Sequence, residues 1–411
     1  MTPSPAVRRA VADAHRREWA RVLAATVRVT RDLDLAEECV QDAYAAALGD
    51  WTRGGVPDRP GAWLTTAARH NALDVLRRAA NLRSKQHLLV EPLPEPEPPA
   101  PVVRDDRLRL VFLCCHPALA AEARIALTLR LVCGVATADI AKALLVPVPT
   151  VAARITRAKK KIASVGVPFR LPPAADLPDR LDAVLTVVHL LYTTGHTAPS
   201  GPALTRDDLA ARALDLARLL RDLMPDEPEA RGLLALLLAD HARRATRTAA
   251  DGRLLTLEEQ DRSAWDRQAI AEAHDLVVSA LRGGPGRFAL QAAIAALHAT
   301  APSYADTDWE QILVLYDELL KVWPSPVVAL NRSVAVAMVH GPAAALPEIE
   351  TLERDERLAA YHYLPAVKAD LLRRLDRAAE AAAAYERAIS LTANDAERAY
   401  LTRRLADLDD P

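Results

Sequence analysis

The feature that most constrains this chain is the stretch Thr137–Ile162, TADIAKALLVPVPTVAARITRAKKKI, which predicts two helices joined by a tight turn. Thr137 can cap the first helix, which carries a short apolar stripe. The VPVP sequence at 146–149 then ends that helix, because proline lacks an N–H, and Pro149 suits the first turn of a second helix. The second helix places apolar residues at helical spacing, which predicts a buried stripe. These residues are Val151, Ile155, Ala158 and Ile162.

The opposite face of the second helix is polar and basic. It carries Thr150, Arg154, Arg157 and Lys161 at the same spacing, with Lys159 and Lys160 beside them. An apolar inner face with an outer face of hydroxyl and cations is typical of a helix-turn-helix recognition helix that enters a major groove. The alternative is a solvated basic helix end, since Lys and Arg also favour helix C-termini. The short preceding helix and the tight apolar turn favour DNA contact.

Composition predicts an all-α protein with several domains. Among 411 residues there are 14 glycines and 4% aromatic residues, and Ala, Leu and Arg dominate. Residues 1–170 hold 26 Lys/Arg and 17 Asp/Glu, a balance of +9, whereas the remainder holds 26 and 37, a balance of −11. A basic front half and an acidic rear half suggest a nucleic-acid binder with a separate regulatory or protein-interaction part.

The cysteines and apolar runs indicate a cytoplasmic protein. The N-terminal region has charge but no apolar signal segment, and no apolar run reaches about 18 residues, so we expect no membrane partner and reduced thiols. Cys114-Cys115-His116 resembles half of a metal site, but no spaced second pair accompanies it. Core thiols are the favoured interpretation, and we expect neither a metal nor a cofactor.

The first 86 residues predict three amphipathic helices, at 6–30, 32–51 and 62–83. The second helix carries its acidic and amide residues on one side. This face is either an ordinary solvated surface or, inside a basic domain, a surface for a protein partner. The third helix carries Asn71, Asp74 and Arg78 in one row and His70 and Arg77 in the next, with Trp63 at its head. Such a surface suits stacking on unpaired bases and holding phosphates, although Trp63 could equally belong to the core.

The middle of the chain divides two units. Residues 87–104, HLLVEPLPEPEPPAPVVR, predict a flexible Pro/Glu linker. The linker separates the three helices of residues 6–86 from a second unit at 105–166, which ends in the helix-turn-helix.

These motifs together resemble a bacterial RNA polymerase sigma factor of the extracytoplasmic function (ECF) type, in the sigma-70 class. The resemblance rests on LAEECVQDAYAAAL, AWLTTAARHNALDVLRR and ALTLRLVCGVATADIAKALLVPVPTVAARITRAKKKI, in that order. It covers about the first 165 residues and implies sigma region 2 at 6–86 and sigma region 4 at 105–166. Partners implied by the resemblance are promoter DNA and core RNA polymerase, through its β′ clamp and β flap.

The resemblance also assigns site residues. Docking on the β′ clamp would use Asp34, Glu37, Gln41 and Asp42. Opening and reading of the −10 element would use Trp63, Arg69, Asn71, Asp74, Arg77 and Arg78. Reading of the −35 element would use Thr150, Arg154, Arg157, Lys159, Lys160 and Lys161. The β-flap contact would fall on the second unit.

Residues 171–411 predict helix pairs with short turns throughout, beyond the point where short sigma factors of this type end. Their last part has a tetratricopeptide (TPR)-like pattern of small and apolar residues. The pattern comprises Ala369, Leu372, Ala379, Ala381, Ala384, Tyr385 and Ala388. This region also resembles the TPR-like C-terminal extension of a subgroup of ECF sigma factors. We expect it to regulate the sigma part, with an intramolecular contact as one means.

A polar loop at 250–266 interrupts the helix pairs, with Asp251, Gly252 and Arg253 at its apex and Trp265 as an anchor. Asp-Gly is typical of a simple turn. The functional alternative is a regulatory docking surface.

Three classes of function remain to be compared. No motif for a P-loop, a nucleophile elbow or a zinc protease appears, so we predict no catalysis by this chain. A helix-turn-helix regulator with a helical-repeat sensor domain is the alternative to a sigma factor, and the region 2-like motifs argue against it. The sequence therefore predicts a sigma factor that recognises the promoter and opens the DNA strands for the polymerase.

Overall fold

Helices make up most of the part of the chain that the structure describes. The computed structural model describes residues 4–86, 106–144, 146–170, 172–173, 176–198, 200–201 and 204–408. Within these ranges there are helices and two isolated β-bridges but no strands, which confirms the all-α prediction. The predicted linker 87–104 lies outside the described residues. The chain divides into two compact units, residues 1–187 and 188–411.

The first unit opens with three long helices that pack on one another: α1 (Pro5–Thr30), α2 (Leu33–Gly54) and α3 (Pro60–Gln86). Asp32 caps α2, because its Oδ1 accepts a hydrogen bond from the Leu35 backbone N–H at 2.9 Å. Leu23, Val40 and Leu64, one from each helix, are fully buried. The three helices therefore form one bundle, and each predicted boundary lies within a few residues of the observed one.

Four shorter helices complete most of the first unit: α4 (Asp106–Cys114), α5 (Ala121–Leu131), α6 (Thr137–Ala143) and α7 (Val148–Val165). Pro149 lies in the first turn of α7, as its fixed φ and missing N–H predict. Gly166 ends α7 in the left-handed conformation, with φ of 65°. α7 packs on α5 and α6, so α6, the turn and α7 form the predicted helix-turn-helix.

The second unit is built from α-helices, each packed on its neighbours along the chain, and short 3₁₀ segments. α8 (Leu177–His196) contributes its first part to the first unit and its second part to this one. The other helices of the second unit are α9 (Asp207–Leu223), α10 (Pro228–Ala242), α11 (Arg267–Arg282), α12 (Arg287–Thr300), α13 (Trp309–Val322), α14 (Pro326–Val339), α15 (Pro342–Leu352), α16 (Tyr363–Arg374), α17 (Ala378–Leu391) and α18 (Asp395–Ala406). The 3₁₀ segments are Arg244–Thr246, Arg262–Ala264 and Glu356–Leu358.

α10 lies at the centre of its neighbours, since Leu233, Leu234 and Leu237 are all fully buried. Gly232 permits a close approach, because a Cβ there would lie 2.6 Å from the Ala289 backbone nitrogen. The Glu229 carboxylate accepts hydrogen bonds from the backbone N–H groups of Phe288 and Ala289 at 3.0 and 3.1 Å. One helix thus both packs on α12 and caps its N-terminus.

Most residues of the predicted TPR-like pattern are buried in one hydrophobic cluster. Ala369, Leu372, Ala381, Ala384, Tyr385 and Ala388 are buried together with Leu346 and Leu401. Ala379 is the exception: it lies exposed in the first turn of α17 because the buried face of the helix begins two residues later. None of the helices in the described ranges has an apolar stretch of the length that a membrane crossing needs.

Candidate nucleic-acid interface

The buried face of α7 consists of the four residues predicted from the sequence. Val151, Ile155, Ala158 and Ile162 are each at most 8% exposed. They fix the rotation of the helix about its axis, because no other face of α7 is apolar. The rotation decides which polar side chains point outward.

Most of the predicted −35 residues lie on the outer face of α7. Arg157, Lys160 and Lys161 are exposed, and Thr150 and Arg154 are half-buried. No carboxylate in the described part of the chain pairs with Arg154, Lys160 or Lys161. This cationic face can approach phosphate groups or base edges without first breaking an ion pair.

Lys159 is placed differently from its neighbours. Its side chain is only 12% exposed, and Nζ donates hydrogen bonds to Asp34 Oδ1 at 2.9 Å and to Glu37 Oε2 at 2.5 Å. Burial lowers the pKa of Lys159, but the hydrogen bonds from Nζ to Glu37 and Asp34 outweigh burial, so its pKa is raised. A residue predicted to meet DNA thus binds two residues predicted to meet the polymerase.

The four predicted polymerase-binding residues follow one side of α2. Asp34, Gln41 and Asp42 are exposed, and Glu37 is largely covered by its contact with Lys159. Gln41 also lines a small cavity of 180 Å³ between α1, α2 and the α5–α6 region, beside Trp19 and Arg130. The acidic face of α2 is therefore open to solvent at Gln41 and Asp42, whereas Lys159 covers it at Glu37.

The predicted −10 residues share α3 but differ in environment. Trp63 is half-buried and packs edge-to-face on Trp51, with ring centroids 5.7 Å apart. Asn71 is half-buried, and its Nδ2 donates to the Cys39 backbone oxygen at 3.2 Å. Trp63 and Asn71 therefore contribute to the packing of α3 on α2 whatever else they contact.

The remaining −10 residues form an exposed surface. Arg69, Asp74, Arg77 and Arg78 are exposed, and Arg77 pairs with Asp74 at 3.6 Å. A pair this open to water is worth little, so it does not prevent either side chain from turning to a nucleic acid. The structure thus leaves three arginines of α3 exposed.

The thiols lie in the protein core. Cys39, Cys114, Cys115 and Cys133 are all buried, and none of them is in a disulfide. Burial raises the pKa of Cys114, and it raises that of Cys115 to about 11, so both stay protonated. No set of three His, Cys, Asp or Glu side chains in the described ranges is arranged to hold a metal ion.

The loop at 250–266 contains the turn that its sequence predicts. Gly252 has φ of 84°, and Asp251 Oδ1 accepts a hydrogen bond from the Arg253 backbone N–H at 2.9 Å. Arg253 pairs with Glu259 at 2.8 Å. Trp265 is 3% exposed and donates from Nε1 to Thr246 Oγ1 at 2.8 Å, which confirms it as the anchor of the loop.

Sequence patterns did not reveal how α2 contacts α7, or how α1 contacts α5. Trp19 Nε1 donates to the Leu131 backbone oxygen at 3.2 Å, and Lys159 meets partners more than a hundred residues away. The only sequence signal for the contact of Lys159 with α2 is that α2 is acidic where α7 is basic.

Comparison with known families identifies the class. Residues 12–81 match the family model described as Sigma-70 region 2, and residues 109–162 match Sigma-70, region 4. These matches coincide with the α1–α3 bundle and with α4–α7, and together they define the sigma-70 factors, which are transcription initiation factors. Residues 180–281 match a family of unknown function, DUF6596.

The chain belongs to the ECF-like sigma-70 factors with a C-terminal extension. It is also similar to an uncharacterized protein of Rhizobium meliloti (strain 1021), with 43% identity over 399 residues that cover 94% of this chain and 93% of the relative. No solved structure matches this chain. The chain is therefore a sigma factor for promoter recognition, and its sigma-70 regions imply association with core RNA polymerase and promoter DNA.

Proposed function

We propose that this chain binds core RNA polymerase and directs initiation at promoters with −10 and −35 elements. The observation that carries the proposal is the outer face of α7, where Arg157, Lys160 and Lys161 are exposed on a helix-turn-helix whose inner face is buried. Cations and a hydroxyl on such a helix suit contacts to phosphates and base edges in a major groove.

Reading of the −35 element falls to Thr150, Arg154, Arg157, Lys160 and Lys161, with Lys159 once it has left its carboxylate partners. The exposed arginines of α3 suit the phosphates of a melted −10 strand, and the half-buried ring of Trp63 would stack on an unpaired base. Asn71 and Asp74 complete this surface.

The polymerase contacts follow from the acidic side of α2. Asp34, Glu37, Gln41 and Asp42 form the surface for the β′ clamp, and α4–α7 carry the β-flap contact. Residues 6–86 and 105–166 act as the two sigma modules, residues 87–104 connect them, and residues 171–411 tune their activity. Asp251, Gly252 and Arg253 form the proposed regulatory loop. A factor with this role works in the cytoplasm, where polymerase and chromosome are.

The −35 role is tested by removing two exposed cations together, with Arg157→Ala and Lys160→Ala. Binding of the holoenzyme to a promoter should weaken, and the slope of log K against log salt should fall by roughly one for each phosphate that the variant no longer neutralises. Affinity for the isolated β′ clamp should not change, because neither residue lies on α2, the helix proposed to contact the clamp. Both quantities are measured by fluorescence anisotropy over a salt series.

The matched control removes two exposed cations of α1, with Arg8→Ala and Arg9→Ala. This control should leave the salt slope unchanged. An unchanged slope in the α7 variant, or an equal change in the control, would contradict the −35 assignment.

A further inference from the structure

A cavity in the second unit has the chemistry of an anion site. It has a volume of 730 Å³ and is lined by residues of α14, α16 and α18 and of the segment 253–259, together with Tyr304 and Asp407. This volume is in the range of small-molecule sites. Its lining includes five arginines.

The arginines outnumber the carboxylates that could neutralise them. Asp370 meets three guanidinium groups, those of Arg373 at 2.8 Å, Arg404 at 3.6 Å and Arg374 at 4.0 Å. Five arginines and four carboxylates line the cavity, and Glu259 is paired with Arg253, so the excess of one positive charge lies where Asp370 is shared by three guanidinium groups. Asp407 lies 3.5 Å from Arg404 but is 58% exposed, so it screens this charge weakly.

Other groups in the same cavity add hydrogen-bond capacity. Burial raises the pKa of Tyr304 and of Tyr400, so both hydroxyls stay protonated as donors at neutral pH. Guanidinium groups that share one carboxylate, together with two tyrosine hydroxyls in the same cavity, favour a ligand that supplies oxygen acceptors and negative charge.

We propose that this cavity binds a small molecule that carries an oxyanion, either phosphate or carboxylate. Guanidinium groups match both anions through paired N–H donors. The proposal is independent of promoter recognition, since every lining residue lies between 253 and 407.

The test is titration calorimetry of the full chain at constant ionic strength with two probes, pyrophosphate and citrate. We expect saturable binding of at least one probe, and the tighter of the two identifies the oxyanion. Arg373→Gln should weaken binding at least about tenfold, as expected for the loss of a charge-assisted pair. Arg403→Gln, at an exposed lining position, should weaken it too and keeps the test valid if the first variant does not fold.

The control is Arg387→Gln, an exposed arginine of α17 outside the cavity, which should bind as the unchanged chain does. The proposal is overturned if neither probe binds at concentrations up to about 10 mM. It is equally overturned if the control loses affinity as much as the cavity variants.

A second inference comes from Lys159 and rests on the proposed function. Lys159 cannot touch DNA while Asp34 and Glu37 hold it, and Glu37 cannot meet the polymerase while Lys159 covers it. Arg28 on α1 and Asp106 on α4 form a further ion pair at 3.5 Å. Like the contacts of Lys159, this pair joins the α1–α3 bundle to the helices α4–α7. We infer that the contact of α2 with α7 is an autoinhibitory clasp, which closes the free chain and must open for either partner to bind.

The clasp is tested without polymerase or DNA, so that its failure is separate from failure of the sigma assignment. Spin labels at exposed positions of α2 and α7, introduced as Ala45→Cys and Ala152→Cys, report the distance between these helices by pulsed electron resonance. The native cysteines are buried and should not label. The free chain should show one narrow distance distribution.

Variants that reverse the charges of Lys159 and Glu37 test whether this ion pair, as opposed to general packing, holds α2 against α7. Lys159→Glu should broaden the distribution toward longer distances, and adding Glu37→Lys should restore the narrow one by rebuilding the pair in reverse. Lys161→Glu, the exposed neighbour, is the control and should change nothing. The inference is wrong if Lys159→Glu leaves the distribution unchanged or if the control changes it equally.

Discussion

Glu397 shows at the residue scale how the second unit uses buried charge. The residue is 7% exposed, and its carboxylate accepts a hydrogen bond from the Tyr363 hydroxyl and lies 3.3 Å from His362 Nε2. Burial raises the pKa of Glu397, but the contacts with His362 and Tyr363 more than offset burial and lower it. The carboxylate is thus ionised and fully partnered inside the α16–α18 core.

Replacing that carboxylate by an amide should be costly. We expect Glu397→Gln to lower the free energy of unfolding by about 2 kcal/mol, because a partnered buried charge is removed and its donors remain. Thermal unfolding followed by circular dichroism measures the change. Glu386→Gln, at an exposed position of α17, is the control. Equal midpoints for the two variants would show that the network contributes nothing to stability.

Three histidines make stability depend on pH. Burial, with smaller effects of nearby charges, lowers the pKa of His189 and His298 to about 4 and that of His196 to about 3. In the unfolded chain these pKa values return to about 6.5, so between pH 6.5 and 4 the unfolded chain binds more protons than the folded one. The free energy of unfolding is therefore highest above pH 6.5, where these histidines are neutral in both states, and it decreases as the pH falls below 6.5.

We expect the unfolding free energy to fall by about 1 kcal/mol per histidine between pH 7 and pH 5, less than full burial would give because all three rings keep some exposure. A series of thermal melts checks this. His196→Gln should flatten the pH dependence, whereas His274→Gln, at an exposed position, should not. A midpoint that stays constant over this range would refute the assignment.

At the element scale, the packing of α10 on α12 depends on a residue without a side chain. A Cβ on Gly232 would lie 2.6 Å from the Ala289 nitrogen and 2.8 Å from its Cα, and backbone atoms cannot turn aside as a flexible side chain can. The two helices would have to move apart. The sequence did not predict this close approach, because a glycine in an apolar run gives no sign of which backbone it meets.

Gly232→Ala should therefore destabilise the protein by about 1–3 kcal/mol, the range for overpacked cores. Gly54→Ala is the matched control, since its added Cβ would meet nothing within 4 Å and alanine favours helix by up to about 1 kcal/mol. Chemical denaturation of both variants gives the comparison. A neutral or stabilising Gly232→Ala would mean that α10 and α12 adjust without cost.

At the scale of the whole molecule, local patterns were predictable and distant contacts were not. The buried stripe of α7 and the boundaries of α1–α3 follow from periodicity within about twenty residues, and the structure confirms them. The turn at Gly252 and the anchor Trp265 are equally local. The cation at position 159 and its carboxylates on α2 are far apart in sequence, so only the fold brings them together. The arginine-lined cavity is also the product of three separate helices and a loop.

The central claim is that the chain binds core RNA polymerase and directs it to promoters through two basic helical modules, residues 6–86 and 105–166. The most direct measurement is gel filtration of the purified chain with core RNA polymerase, followed by footprinting of the resulting complex on promoter DNA. We predict that the chain co-elutes with the core enzyme and that the complex protects two separate segments upstream of the start site. A chain that elutes alone, or a complex that protects no defined segment, would contradict this account.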